Sequence, residues 1–119
     1  MKVIIGSMIA AGLMIAGGIH AEEMPALAKQ FSCTACHTMD RQTIGPSWRE
    51  IAKKYKGVAK FTYKGKEYPL TEGLVVKVSN GGSGNWGKMP MPGNDPAGTR
   101  KPEMTELVKF ILSLPEKEK

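Results

Sequence analysis

Hydrophobic positions in this sequence change spacing several times, and each change predicts an element. From Val3 to Ile19 the chain is continuously apolar or small (VIIGSMIAAGLMIAGGI). Beyond that run, Leu27 and Phe31 stand four apart. They follow Pro25, a good first helical residue, and predict a short helix from about Pro25 to Gln30. Gly45-Pro46 precedes Ser47 and, three residues on, Glu50. That is a capping box, so a second helix is expected there, ending at Gly57. Alternation replaces helical spacing in KFTYKGKEYPL, where Phe61, Tyr63 and Tyr68 flank a Lys64-Gly65 turn in the pattern of a short hairpin. A third helix is expected from Thr71 to the Asn80-Gly81 turn. Asn80 to Asp95 (NGGSGNWGKMPMPGND) has no periodicity and is rich in Gly, Pro and Asn, hence a loop. The last helix opens near Pro102. Met104, Leu107, Val108, Ile111 and Leu114 form its stripe, and Pro115 stops it.

The first run has Lys2 ahead of it and Ala21 before Glu22-Glu23 behind it. This is the layout of a secretory signal peptide, which divides the chain into a signal at 1–21 and a mature domain at 22–119. A retained membrane anchor is the alternative, because the run is close to the minimum length for crossing a bilayer. Cleavage after Ala21 takes 21 of the 119 residues and leaves 98. A single domain of that size buries a modest core and often needs a staple, a metal or a cofactor. Cleavage also removes Lys2, so the net charge of +6 becomes +5. Much of the excess lies in Lys53, Lys54, Lys56, Lys60, Lys64, Lys66 and Lys77, a stretch with only Glu67 and Glu72 against it. A basic surface implies acidic partners. Export argues against nucleic acid and for an acidic protein surface or membrane.

The chain has two cysteines, both in FSCTACHTMD (Phe31 to Asp40), with His37 directly after the second. An exported pair normally makes a disulfide. A two-residue gap closes one in thioredoxin-like motifs, but those need a βαβ setting that this chain lacks. Zinc takes four ligands, and His37 is the one histidine of the mature segment, which leaves a Cys/His site one ligand short. C-x-x-C-H is the attachment signature of c-type haem. The Cys33 and Cys36 thiols would add across the haem vinyl groups, and the His37 imidazole would reach the iron from the proximal face. With no histidine left, the other axial position falls to a methionine, a lysine or the free N-terminus, or stays open. Met104 belongs to a helix stripe, and Met39 is too close to His37 to reach the opposite face. Met91, between Pro90 and Pro92, has its backbone held extended on both sides and presents a thioether at low entropic cost. Met89 has that flanking on one side and remains the alternative.

CTACH, IGPSW, NGGSGNWG and PMPGN occur in an order and spacing that resembles the small class I cytochromes c of bacterial respiratory chains. The likeness covers nearly all of the mature segment. It implies an all-α fold of about four short helices around one covalently bound haem, with the last helix packed on the first and the hairpin as an insertion. It also implies that the Pro46 carbonyl holds His37, that Trp86 donates to a haem propionate and that Asn94 orients the methionine sulfur. Lys77, ahead of the Asn-Gly turn, would meet a propionate. Two departures stand out. Gly93 occupies a place where the family usually has a second proline, which implies a less rigid loop, and the Lys60–Leu70 segment has no family counterpart in this form.

The function expected is that of a periplasmic one-electron carrier with His37/Met91 ligation, not an enzyme, because six-coordinate iron leaves no site for substrate. The alternative is a cytochrome subunit of a periplasmic dehydrogenase, such as one oxidising sulfite, docked through the hairpin. Expected partners are acidic redox proteins: a dehydrogenase subunit, or a terminal oxidase or reductase. No nucleic acid is expected, and no stable membrane insertion once the signal is cleaved. A peroxidase would need polar distal groups, and no distal histidine is available. A cytochrome c prime carries its haem motif near the C-terminus of a four-helix bundle, whereas here the motif opens the mature segment.

Overall fold

The computed structural model describes residues 24–115. The expected signal at 1–21 and its cleavage point lie outside the described residues. Among the described residues no helix is long and apolar enough to cross a membrane. Four α-helices and one hairpin follow in order: α1 (Ala26–Gln30), α2 (Trp48–Tyr55), β1 (Lys60–Tyr63), β2 (Lys66–Pro69), α3 (Leu70–Asn80) and α4 (Lys101–Leu112). A 3₁₀ turn, Cys33–Ala35, lies between α1 and α2. These are the helices and hairpin that the spacing predicts, in the all-α architecture that the resemblance implies.

Local chemistry explains the boundaries. Pro25 stands one place before α1 and not inside it. At α2 both halves of the capping box form. The Glu50 amide donates to Ser47 Oγ at 3.1 Å and the Ser47 amide to Glu50 Oε2 at 3.3 Å. Two further first-turn amides, Trp48 and Arg49, donate back to the Thr38 and Met39 carbonyls, so the orphan donors of this end are satisfied. In the hairpin, Lys64 (φ 47°) and Gly65 (φ 79°) are both left-handed, the conformation that a two-residue turn between twisted strands demands. Phe61 pairs with Tyr68 across the ladder.

The hairpin is part of the core and not an appendage. Phe61 is buried and meets Tyr55 edge-on at 5.7 Å. Gly73 on α3 makes room for it, since a Cβ there would lie 2.8 Å from Phe61 Cβ. Helix α3 starts at Leu70, directly after β2 and one residue ahead of the expected Thr71. Helix α4 packs on α1, α2 and α3, most extensively on α3. The expected pairing of terminal helices is therefore one of three contacts. Met104 and Trp48 lie at the centre, with Trp48 edge-to-face on Phe110 at 5.8 Å. Leu114 falls beyond the end of α4 yet is buried. The Ser113 and Leu114 amides continue the turn onto the Lys109 and Ile111 carbonyls, and Pro115 disfavours helix at the residue before it.

Candidate functional site

After α1 the chain turns sharply at Ser32, which is left-handed (φ 58°). The Cys33 carbonyl then accepts from the amides of Cys36 (3.2 Å) and His37 (3.0 Å). The second bond spans one helical turn, so Cys33 and His37 come to one side. Both are buried. The Cys36 carbonyl is held in its turn by the Gly45 amide at 2.8 Å and the Thr43 hydroxyl at 2.7 Å. This folds the intervening loop back onto the motif.

His37 Nδ1 lies 2.7 Å from the Pro46 carbonyl oxygen. A carbonyl only accepts, so Nδ1 carries the proton and Nε2 is left with the lone pair that a metal would take. Gly45 permits this approach. A Cβ there would stand 2.7 Å from His37 Cε1 and 3.0 Å from Nδ1. Burial pushes the free Cys33 thiol above its ordinary pKa, against a smaller opposing pull from its backbone hydrogen bond.

Cys33, Cys36 and His37 open into one cleft. Its walls are apolar: Ile51 and Tyr55 from α2, Leu74 from α3, Leu107 and Ile111 from α4, and Phe61 from the hairpin. Its empty space, open mouth included, is about 1110 Å³. Trp86, Met89, Pro90, Met91 and Pro92 from the long loop complete the lining. Met24, Met39 and Met104 do not reach it. The donor set is thus two thiols, one imidazole with a fixed tautomer and two thioethers around a wide apolar slot. That set fits a covalently attached haem. Among the described residues no group of three His, Cys, Asp or Glu side chains converges on a metal position.

The two thioethers differ. Met89 is 66% exposed, whereas Met91 is partly buried. Met91 is also paired through both backbone groups with Gly82, at 2.9 Å each way. The loop after it is laced to the end of α3. The Asn94 and Asp95 amides donate to the Val78 and Ser79 carbonyls, satisfying acceptors that the helix end leaves open. The Asn94 side-chain amide goes to Val78 O at 3.2 Å. Gly93, expected to loosen this loop, lies where it passes close against the end of α3. A Cβ there would lie 2.9 Å from Ser79 O and 3.0 Å from Asn80 O.

Trp86 is 43% exposed at the cleft, with Lys54 Nζ 4.3 Å above its ring and donating to Asn85 O at 2.7 Å. Lys77 also lines the cleft, and its ammonium donates to Gly82 O at 2.6 Å. Burial lowers the Lys77 pKa, and the Lys64 charge adds to the effect. Its remaining N–H donors are available to an anionic group of a ligand. Motif spacing and proline flanking singled out both cysteines, His37 and the methionine pair, and the resemblance to class I cytochromes c added Pro46, Trp86, Lys77 and Asn94. Neither pointed to Lys54, Phe61 or Tyr63 as site residues, whose roles depend on elements brought together from a distance. Gly45 carried a signal in the Gly-Pro dipeptide itself.

The family model for cytochrome c matches residues 21–115. Cytochrome c-551 of Pseudomonas aeruginosa is 35% identical over 107 residues, covering 90% of this chain and 91% of that protein. Cytochrome c2 of Rhodocyclus tenuis is 40% identical over 94 residues, covering 75% and 89%. Among solved structures, wild-type Nitrosomonas europaea cytochrome c552 superposes with a TM-score of 0.61 at 31% identity, covering 75% of this chain and 96% of that one. With the thiols, imidazole and apolar slot in place to receive it, one covalent c-type haem belongs to this fold, and the chain belongs to the cytochrome c family as a small class I monohaem member.

Proposed function

We infer that this protein is an exported, periplasmic one-electron carrier whose iron is held by His37 and Met91. The observation that carries the axial assignment is the contrast within the methionine pair. Both line the cleft, but Met89 is 66% exposed while Met91 is partly buried and tied to Gly82 through its own backbone. A haem so ligated supplies a one-electron ferric/ferrous couple at a potential raised by the thioether.

The chain's own residues do the rest. The Pro46 carbonyl holds the Nδ1 proton of His37 and with it the ring orientation. Ile51, Leu74, Leu107 and Ile111 exclude water from the slot. Trp86 and Lys77 are the donors for the propionates. Asn94 acts on the methionine through the loop, by anchoring it to Val78. Ile44, Trp86 and Met89 are exposed apolar side chains of the cleft lining, and they suit transient contact with a redox partner. The lysines from Lys53 to Lys77 favour an acidic one. The apolar run after Lys2 supports export.

The test is a pair of substitutions. Ferric wild type should show the weak near-infrared band of sulfur bound to haem iron, and the ferrous protein should resist carbon monoxide. Met91→Ala should lose the band and bind carbon monoxide, and Met89→Ala should keep both wild-type properties. The reverse pattern moves the ligand to Met89.

A further inference from the structure

The geometry points to Tyr63 as a positioning residue for the distal-ligand loop: the β1–β2 hairpin is a strut that holds, through one hydroxyl, the turn to which Met91 is paired. The inference rests on the Met91 assignment and goes beyond it, since it gives the inserted hairpin a task inside the molecule.

Tyr63 ends β1, and its hydroxyl donates to the Gly81 carbonyl at 2.9 Å. Gly81 closes α3, where its amide returns to the Lys77 carbonyl at 2.7 Å. The next residue, Gly82, makes both backbone bonds to Met91. The Gly81 carbonyl and the Gly82 amide are two ends of one peptide unit, which therefore carries both the hairpin's hydrogen bond and one bond of the ligand's own pairing. The Gly82 carbonyl also takes the Lys77 ammonium, so two successive carbonyls of this turn are each held by a side-chain donor.

The far end of the strut is packed into the core. Phe61 lies two residues before Tyr63 on the same strand face. It is buried between Tyr55 and Gly73, so the strand that carries Tyr63 is anchored in the core. The loop it steadies has the opposite character. Gly81, Gly82, Gly84 and Gly87 all have positive φ, and such a segment gains much conformational entropy when released. A Gly-rich ligand loop anchored only by its own pairing would open often. A phenol fixed to the core opposes that.

Imidazole binding to the ferric holoprotein reads this directly, because it captures the state in which the methionine has left, and its apparent affinity scales with the population of that state. Tyr63→Phe keeps the ring and removes the donor. It should tighten imidazole binding about five-fold, the ratio that one ordinary neutral hydrogen bond supports. Tyr68→Phe removes a hydroxyl from the same hairpin without touching the loop, and should bind imidazole as wild type does. A purely architectural Tyr63 would lower the guanidinium midpoint and leave imidazole affinity unchanged; that result overturns the proposal. So do equal gains in the two tyrosine variants. Met91→Ala and Met89→Ala separate the two layers of the argument. If Met91→Ala tightens imidazole binding and Tyr63→Phe does not, only the strut fails. If Met89→Ala tightens it and Met91→Ala does not, the axial assignment fails and the strut with it.

Discussion

Replacing Gly81 by alanine tests how tightly the ligand loop is built onto α3. Gly81 has φ 76° and ψ −164°, a region that residues with a Cβ occupy at a cost of about 1–3 kcal/mol. Space is the second problem. An added Cβ would stand 2.3 Å from the Met91 carbonyl oxygen, 2.7 Å from Gly93 N and 2.8 Å from Pro92 C. All three are backbone atoms, so no rotamer change relieves them. Restoring even 3.0 Å to the nearest moves the Met91 carbonyl by 0.7 Å, at the expense of its pairing with Gly82. Overpacking of this kind costs roughly 1–3 kcal/mol more. The total is about 4 kcal/mol, a large share of the roughly 5–15 kcal/mol that holds a small domain folded. Gly57 is the control, because its φ is 74° and an added Cβ meets nothing within 4 Å. Gly57→Ala should therefore lose only the backbone penalty of about 1–2 kcal/mol. The assay is guanidinium unfolding of ferric holoprotein together with the amplitude of the near-infrared sulfur–iron band. Gly81→Ala should lose about twice as much stability as Gly57→Ala or more, with a diminished band, while Gly57→Ala keeps the full band. Equal losses with the band intact in both would refute the claim that Gly81 sets the position of Met91.

Two further outcomes complete the set formed by this substitution, the methionine pair and Tyr63→Phe. Ser47→Ala removes a buried N-cap oxygen that accepts the Glu50 amide and should cost about 1 kcal/mol in denaturant unfolding; no change would mean that the back-bonds to Thr38 and Met39 suffice to start α2. Electron transfer to an acidic acceptor should slow steeply from low to physiological salt, since steering extends about 10 Å at 0.1 M ionic strength, and reversing Lys64 and Lys66 to Glu should slow it at low salt only. Those two lie over the Tyr63 and Tyr68 rings, whereas Lys60 is paired with Glu67 at 2.8 Å, so a rate indifferent to salt, or to the double reversal, would remove the hairpin's charge from docking.

The parts of the site that were legible are those whose chemistry is local. Cys33, Cys36 and His37 are read from adjacency, and the bond from the His37 amide to the Cys33 carbonyl is the same adjacency expressed as one helical turn. Ser47 and Glu50 announce α2 because a capping box closes within four residues. Lys64-Gly65 announces the hairpin because a tight turn needs left-handed residues at two successive positions. Where boundaries moved, neighbours were responsible: α3 begins a residue early because β2 runs straight into it, and α4 ends before Leu114 because Pro115 follows.

The sequence by itself therefore determined the elements, the attachment motif and the short list of axial candidates, since each depends on sterics and hydrogen bonds spanning a few residues. Tertiary structure alone decided the rest. Gly93 was expected to slacken its loop, yet it lies against the Ser79 and Asn80 carbonyls, a contact between segments more than ten residues apart. Phe61 and Tyr63 look like any strand aromatics until Gly73 admits the one and Gly81 accepts the other. Met89 and Met91 differ locally by one flanking proline, and tertiary structure adds the pairing of Gly82 with Met91 and the exposure of Met89. In each case the deciding partner lies far along the chain, and which segments meet is set by how the helices and hairpin close around a common apolar slot.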